Sequence, residues 1–366
     1  MTLQQGRGEG NDVAGESKAK VIPLHSNSGR SAAAQRRAAQ RADSARRHPS
    51  LLTDPGTRAS AEQIAAVVRE IDQHRGVMPG DEQDAPNELS RAITAVADFV
   101  TKRMTGDYTV DEFGFDPHLT NAVVMPLLRV FFKSWFRVEV SGIENLPLDG
   151  AALIVANHAG VLPFDGLMAS VAVHDHHPLR RDLRLLAADL VFDLPVVGQA
   201  ARKAGHTVAC ASDAHRLLAA GELTAVFPEG FKGLGKPFKD RYKLQRFGRG
   251  GFVSAALRAQ VPIVPCSIVG SEEIYPKIGD IKLLARLFGL PYFPVTPLFP
   301  LAGPLGVVPL PSKWHIQFGE PISTEGYDET AAEDPMVTFE LTDHVRETIQ
   351  HTLYQLLAGR RNTFLG

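Results

Sequence analysis

Cysteine is scarce in this chain: two in 366 residues, Cys210 and Cys266. That is too few for a disulfide framework. Both lie in apolar stretches that read as strands, so they are expected to be buried free thiols in a reducing compartment. A dominant charge is also missing. The formal net charge is −2, which gives no overall field to attract nucleic acid. No apolar run is long enough for a membrane span. The nearest stretches are 122–136, broken by Arg129 and Lys133, and the Pro-rich 283–310. The first twenty residues are polar and Gly-rich, so no signal peptide is expected there. Internal repeats are absent as well. What the chain does have is apolar content, at 44%, enough to bury a sizeable core.

The composition divides the chain unevenly. Residues 1–58 are polar and basic, with Gly, Ser, Arg and Ala dominating, and are expected to form no packed structure. Helical spacing follows over 61–74, at Ile64, Val67, Val68 and Ile71, and again over 89–104. The segment 121–137 is rich in Leu, Val and Phe with isolated cations. From Val138 onward strands and helices alternate. Strands are predicted at 138–140, 152–156, 183–187, 206–210, 224–227, 263–269 and 315–318. Helices are predicted at 163–173, 194–204, 212–220, 250–259 and 342–357. Pro265 argues that 263–269 is an edge or irregular strand. The alternation implies an α/β domain with a largely parallel sheet flanked by helices.

Chemistry concentrates at two strand ends. The apolar run 152–156 stops at Asn157-His158, followed by a small-residue loop, Pro163 and Asp165. Open α/β sheets place ligands at such carboxyl ends. A His with a carboxylate nearby is minimum equipment for a general base held in one tautomer. The bland alternative is an Asp165 that only caps its helix and a His158 bonded to backbone. The second strand end is Phe227-Pro228-Glu229-Gly230-Phe231-Lys232, leading into a run of cations from Lys232 to Arg249. Charge runs are usually solvated. Here Phe231, Phe238, Tyr242, Leu244 and Phe247 are interleaved, which suits a surface of anionic headgroups better than stacked nucleic-acid bases.

Together these blocks resemble the glycerolipid acyltransferase family, the group of lysophosphatidate and related acyltransferases. The resemblance runs from about Val138 to Ile322. It rests on Asn157-His158 with Asp165 and on Phe227-Pro228-Glu229-Gly230. Gly142-Ile143-Glu144-Asn145-Leu146-Pro147 and Val261-Pro262-Ile263-Val264-Pro265 support it. The resemblance implies that His158 deprotonates the acceptor hydroxyl and that Asp165 orients it. Asn157, Phe227, Pro228, Glu229 and Gly230 would serve substrate binding, and Pro262 and Pro265 would shape the acyl side. Two departures stand out. Six residues, Ala159 to Phe164, separate His158 from Asp165, two more than the family's pattern. The strand where the family often carries a phosphate-binding Arg reads His206-Thr207-Val208-Ala209-Cys210-Ala211-Ser212. Arg202, Arg216 or Lys232 would take that part, or the acceptor carries no phosphate; Arg249 is a further candidate for substrate binding.

The expectation is therefore a glycerol-3-phosphate acyltransferase-like α/β fold with N-terminal helices. Its parts would be a polar extension 1–58, a helical membrane-interface region 59–137, an acyltransferase domain 138–322 and a C-terminal helix in 323–366. The implied donor is acyl-CoA or acyl carrier protein, with no metal or bound cofactor. The implied acceptor is a lysophospholipid such as 1-acylglycerol-3-phosphate, or else a neutral one such as diacylglycerol or a long-chain alcohol. A silent membrane-binding module is the rival from another class. Peripheral binding at the cytoplasmic membrane face is expected through 121–137 and 283–310, with no nucleic-acid partner.

Overall fold

A computed structural model describes residues 101–103, 106, 108–248 and 250–364. The expected extension 1–58, the helix 61–74, most of the helix 89–104 and Arg249 lie outside the described residues.

The strands are β1 (Glu139–Ser141), β2 (Ala152–Ala156), β3 (Leu183–Ala187), β4 (Thr207–Val208), β5 (Leu223–Val226), β6 (Ile263–Val269), β7 (Gly279–Asp280), β8 (Pro294–Val295) and β9 (His315–Phe318). Seven form one sheet in the order β1-β9-β6-β2-β5-β3-β4, and β7 pairs with β8 separately. From β6 to β4 neighbouring strands are parallel, whereas β9 runs antiparallel to β6 and β1 follows β9. Successive residues of β2 face opposite sides of the sheet, as a period of two requires. Ile154 and Ala156 meet Met168 and Val171 of helix Phe164–His176 on one face. Leu153 and Val155 meet Val253 and Leu257 of helix Gly251–Ala259 and Val345 of helix Pro335–Gly359 on the other. The chain leaves β2 past β5 toward β3, and leaves β5 past β2 toward β6. The carboxyl ends of β2 and β5 thus flank the point where connections diverge, which is where such sheets open a crevice.

Several expectations change. β6 is central, not an edge. Pro265 is tolerated because its carbonyl faces the β9 side, accepting from the Gly319 N–H at 2.7 Å, just before the ladder begins at Cys266. The missing N–H therefore leaves no gap in the ladder. Cys266 is buried, but Cys210 is half-buried and precedes helix Ala211–Ala219, outside β4. The helix expected at 194–204 is shorter, Val197–Lys203, and follows a turn at Val196 with φ 67° that separates it from an unexpected helix, Asp189–Asp193.

The segment 121–137 is a core element with an exposed edge and not a free interfacial helix. Met125, Leu128, Phe132 and Phe136 are buried, and Phe136 stacks on Trp314 with ring centroids 4.6 Å apart. Arg129 forms a two-pronged pair with Asp175 at 2.6 and 2.8 Å. Of its apolar side chains, Val123, Leu127, Val130 and in part Trp135 face outward. The segment 283–310 does contain a helix, Lys282–Leu287, despite its prolines. It exposes Leu283, Leu287, Phe288, Leu301 and Leu305, with Leu301 at 91%. No helix among the described residues is long and apolar enough to cross a membrane.

Candidate active site

Strand β2 ends at Asn157 because its side chain takes over the ladder. The amide accepts from the Ile268 N–H at 2.8 Å and donates to the Ile268 carbonyl at 3.0 Å. Asn157 is fully buried, so it pins β2 to β6 and does not reach substrate, contrary to expectation. The next residue, His158, is thereby placed just beyond the carboxyl end of β2.

Asp165 is the second residue of helix Phe164–His176. Pro163 sits at the N-cap position and not inside the first turn. The loop between them absorbs its two extra residues in tight three-residue turns. The Leu162 N–H bonds the Gly160 carbonyl at 2.6 Å around Val161, whose φ is 64°. The Phe164 N–H bonds the Leu162 carbonyl at 2.8 Å around Pro163, with φ −78° and ψ 50°. The first turn has the rare, strained hand and the second the common one. So folded, the loop returns the Asp165 carboxylate to His158, with Oδ2 2.7 Å from Nδ1. The same oxygen accepts from the Ala159 N–H at 2.9 Å, and Oδ1 accepts from the Gly166 N–H at 2.8 Å. Asp165 is wholly buried, while 12% of the His158 side chain stays exposed. With Nδ1 donating to the carboxylate, Nε2 carries the lone pair, the tautomer a general base requires. The Phe227 ring lies 4.6 Å from the imidazole, centroid to centroid.

Glu229 is positioned by β5 and by a turn through Pro228 closed by the Gly230 N–H to the Phe227 carbonyl at 3.0 Å. Gly230 takes φ 52°, a conformation that favours glycine. The Glu229 side chain is fully buried. Its Oε1 accepts from the His158 N–H at 2.8 Å and its Oε2 from the Gln245 N–H at 2.6 Å. Glu229, expected to bind substrate, is instead buried with both carboxylate oxygens engaged and holds the His158 backbone. Lys236 Nζ lies 3.3 Å from Glu229 Oε2 and 3.1 Å from Glu272 Oε1, and donates to the Lys243 carbonyl at 3.2 Å. Burial pushes the Glu272 carboxyl up to about 7 despite the ammonium beside it.

This buried network was not expected from the charge run, which reads as a solvated or lipid-facing loop. Tyr242, Leu244 and Phe247 are buried, so this part of the run packs on the core, while Phe231 stays exposed. Lys232 is exposed on helix Gly230–Leu234. That helix lies against His158, because a Cβ at Gly233 would come within 2.5 Å of the His158 carbonyl. Arg202 is not at the site. It stacks on Phe192 at 4.7 Å, three residues before Gly205, whose carbonyl accepts from Arg184 Nε near the start of β3. Arg216 pairs with Glu112 at 2.7 Å.

Residues 137–269 match the family model described as Acyltransferase. An uncharacterized protein of Mycobacterium tuberculosis is 74% identical over 97% of this chain and 99% of its own length. One of Mycobacterium leprae is 71% identical over 99% of this chain and all of its own. The human DGAT1/2-independent enzyme synthesizing storage lipids is 28% identical over 59% of this chain and 60% of its own. The crystal structure of the 1-acyl-sn-glycerophosphate (LPA) acyltransferase PlsC from Thermotoga maritima aligns with a TM-score of 0.45 and 19% identity, over 75% of this chain and 98% of that one.

Proposed function

We propose that this chain, whose residues 137–269 match the Acyltransferase family model, transfers a fatty acyl group from a thioester to the hydroxyl of a lipid. The donor is acyl-CoA or an acyl carrier protein. His158 Nε2 takes the proton of the acceptor hydroxyl as its oxygen attacks the thioester carbonyl carbon. Asp165 stabilises the imidazolium that forms. The tetrahedral intermediate collapses, the carbon–sulfur bond breaks, and the imidazolium returns its proton to the leaving thiolate. This is the triad logic of serine hydrolases with the substrate alcohol as nucleophile. The 2.7 Å contact between His158 Nδ1 and Asp165 at the carboxyl end of β2 carries the reading. A pair so arranged supplies on the order of 10²–10⁴ in rate.

Two acceptor classes follow from the family: a phosphate-bearing lysophospholipid, and a neutral alcohol such as diacylglycerol. The neutral class is favoured by the placement of the cations. The Arg202 guanidinium is stacked on Phe192, Arg216 is paired with Glu112, and the Lys236 ammonium is buried between two carboxylates. Lys232 is the described cation left on the helix beside His158. The human relative, whose name records storage-lipid synthesis, points the same way. The same reading places the enzyme peripherally on a bilayer, at its cytoplasmic face, with Leu283, Leu287, Phe288, Leu301 and Leu305 toward the lipid. Thiol release by purified protein with acyl-CoA or acyl carrier protein tests the proposal. Diacylglycerol or a long-chain alcohol should be acylated faster than 1-acylglycerol-3-phosphate. Faster use of the phosphate-bearing acceptor, lost on Lys232→Ala, would select the other class. Thiol release with no donor and acceptor pair would leave the silent binding module.

A further inference from the structure

The loop between His158 and Asp165 is held open to an unfavourable turn, and its two pins come from different parts of the chain. Val161 is β-branched, yet its φ is 64°, a region that such residues rarely enter. Its N–H donates to the Leu234 carbonyl at 3.2 Å. Its carbonyl accepts from the Tyr292 hydroxyl at 2.5 Å. The first bond fixes the peptide plane before Val161 and the second fixes the plane after it. Both soft dihedrals of the residue are therefore set from outside the loop.

Tyr292 is itself held. The Lys277 ammonium sits 4.7 Å from the centre of its ring, and the Gly235 backbone approaches so closely that an added Cβ would come within 2.8 Å of Cδ1. Lys277 is fixed in turn by the Gly235 carbonyl at 2.8 Å and by Asp280 at 3.0 Å. Burial, reinforced by the nearby Asp165, pushes the phenol well above its usual range, so the hydroxyl remains a donor. Tyr292 lies beyond helix Lys282–Leu287 in the apolar, Pro-rich segment that exposes Leu283, Leu287, Phe288, Leu301 and Leu305.

We propose that Tyr292 is a positioning residue for acyl transfer: its hydroxyl clamps the strained turn at Val161, and this clamp lets the longer loop bring Asp165 to His158. The proposal rests on the acyl-transfer reading above and deepens it. It also gives the apolar segment a physical connection to the reacting pair, through a single hydrogen bond.

Tyr292→Phe keeps the ring between Lys277 and Gly235 and removes only the clamp. Amide exchange of the peptide covering 158–166, followed by mass spectrometry, should quicken roughly tenfold, the effect of one neutral hydrogen bond. The thermal midpoint should stay close to wild type. Turnover should fall by about the same factor, with KM for donor and acceptor within about twofold. In a Val161→Gly background, where positive φ carries no side-chain penalty, the further effect of Tyr292→Phe on exchange and on turnover should shrink. If that parent is too slow to assay, exchange alone completes the comparison. Unchanged loop exchange in Tyr292→Phe overturns the proposal. So does a change confined to KM, or an equal loss in both backgrounds, since the hydroxyl would then act on substrate. Wild-type protein without thiol release, but with quickened exchange in Tyr292→Phe, would overturn the acyl-transfer reading and leave the clamp standing.

Discussion

Glu229→Gln is nearly isosteric, yet the structure predicts that it is severe. Both carboxylate oxygens serve as acceptors, for the His158 N–H at 2.8 Å and the Gln245 N–H at 2.6 Å. A glutamine side chain offers one oxygen, and its amide nitrogen would face a second N–H donor. One buried bond to a charged acceptor is lost, worth about 1.5–3 kcal/mol. Lys236 loses one of its two carboxylates as well, while keeping Glu272 at 3.1 Å. Breaking a buried ion pair outright costs about 3–5 kcal/mol, and the surviving partner places the total near the lower figure. Against a typical domain stability of about 5–15 kcal/mol, that is a visible fall in urea midpoint with an unchanged slope. Turnover should fall too, because the bond removed is the one that fixes the backbone of the base. A displacement of about 1 Å at a reacting group costs roughly 10²-fold. Urea titration alongside steady-state kinetics reads both effects. Wild-type stability with a raised acceptor KM and unchanged kcat would refute the reasoning and return Glu229 to substrate binding.

Asp165→Asn should lower kcat by at least about 10²-fold, because a single amide oxygen cannot serve His158, Ala159 and Gly166 as the two carboxylate oxygens do; near-wild-type turnover would reduce Asp165 to a helix cap. His206 is buried, which together with Arg184 holds its imidazole down to about 4. The folded chain keeps it neutral while the unfolded chain protonates it near 6.5, so its contribution is present above pH 6.5 and is lost as pH falls toward 4. The full span is worth about 3 kcal/mol, and His206→Gln should flatten the decline in urea midpoint between those pH values. Vesicle co-sedimentation should rise with anionic lipid and weaken on Leu287→Asp or Phe288→Asp, whose positions are exposed; changing the half-buried Phe131 instead should act mainly on folding.

The sheet was readable because its strands alternate or run apolar between turn signals, and β2, β3, β6 and β9 have the expected bounds. Their order was not readable, since Pro265 suggested an edge while the missing N–H falls beyond the end of a ladder. Helix Pro335–Gly359 begins seven residues before the apolar spacing suggests. Asp334 caps it by accepting from the Met336 N–H at 2.8 Å, so the Asp-Pro pair was a usable signal, whereas exposed Met336 and Phe339 obscured the periodicity. At the site, His158 was identifiable from a strand end and a family resemblance. The return of Asp165 depended on turns around Val161 and Pro163 that no spacing rule encodes. Lys236 looked like one cation among many, and only the burial of Tyr242, Leu244 and Phe247 around it reveals its different surroundings. Tyr292 is remote in sequence from the loop that it touches, so nothing local could announce it.

The central claim is that His158 is the general base of acyl transfer, and thiol release by His158→Ala tests it most directly. The side chain leaves β2 beyond its last ladder position and Glu229 bonds only the backbone N–H of this residue, so the variant should fold with a thermal midpoint near wild type. Turnover with acyl-CoA and a lipid alcohol should fall by about 10²–10⁴. A folded variant releasing thiol at near wild-type rate would contradict the account.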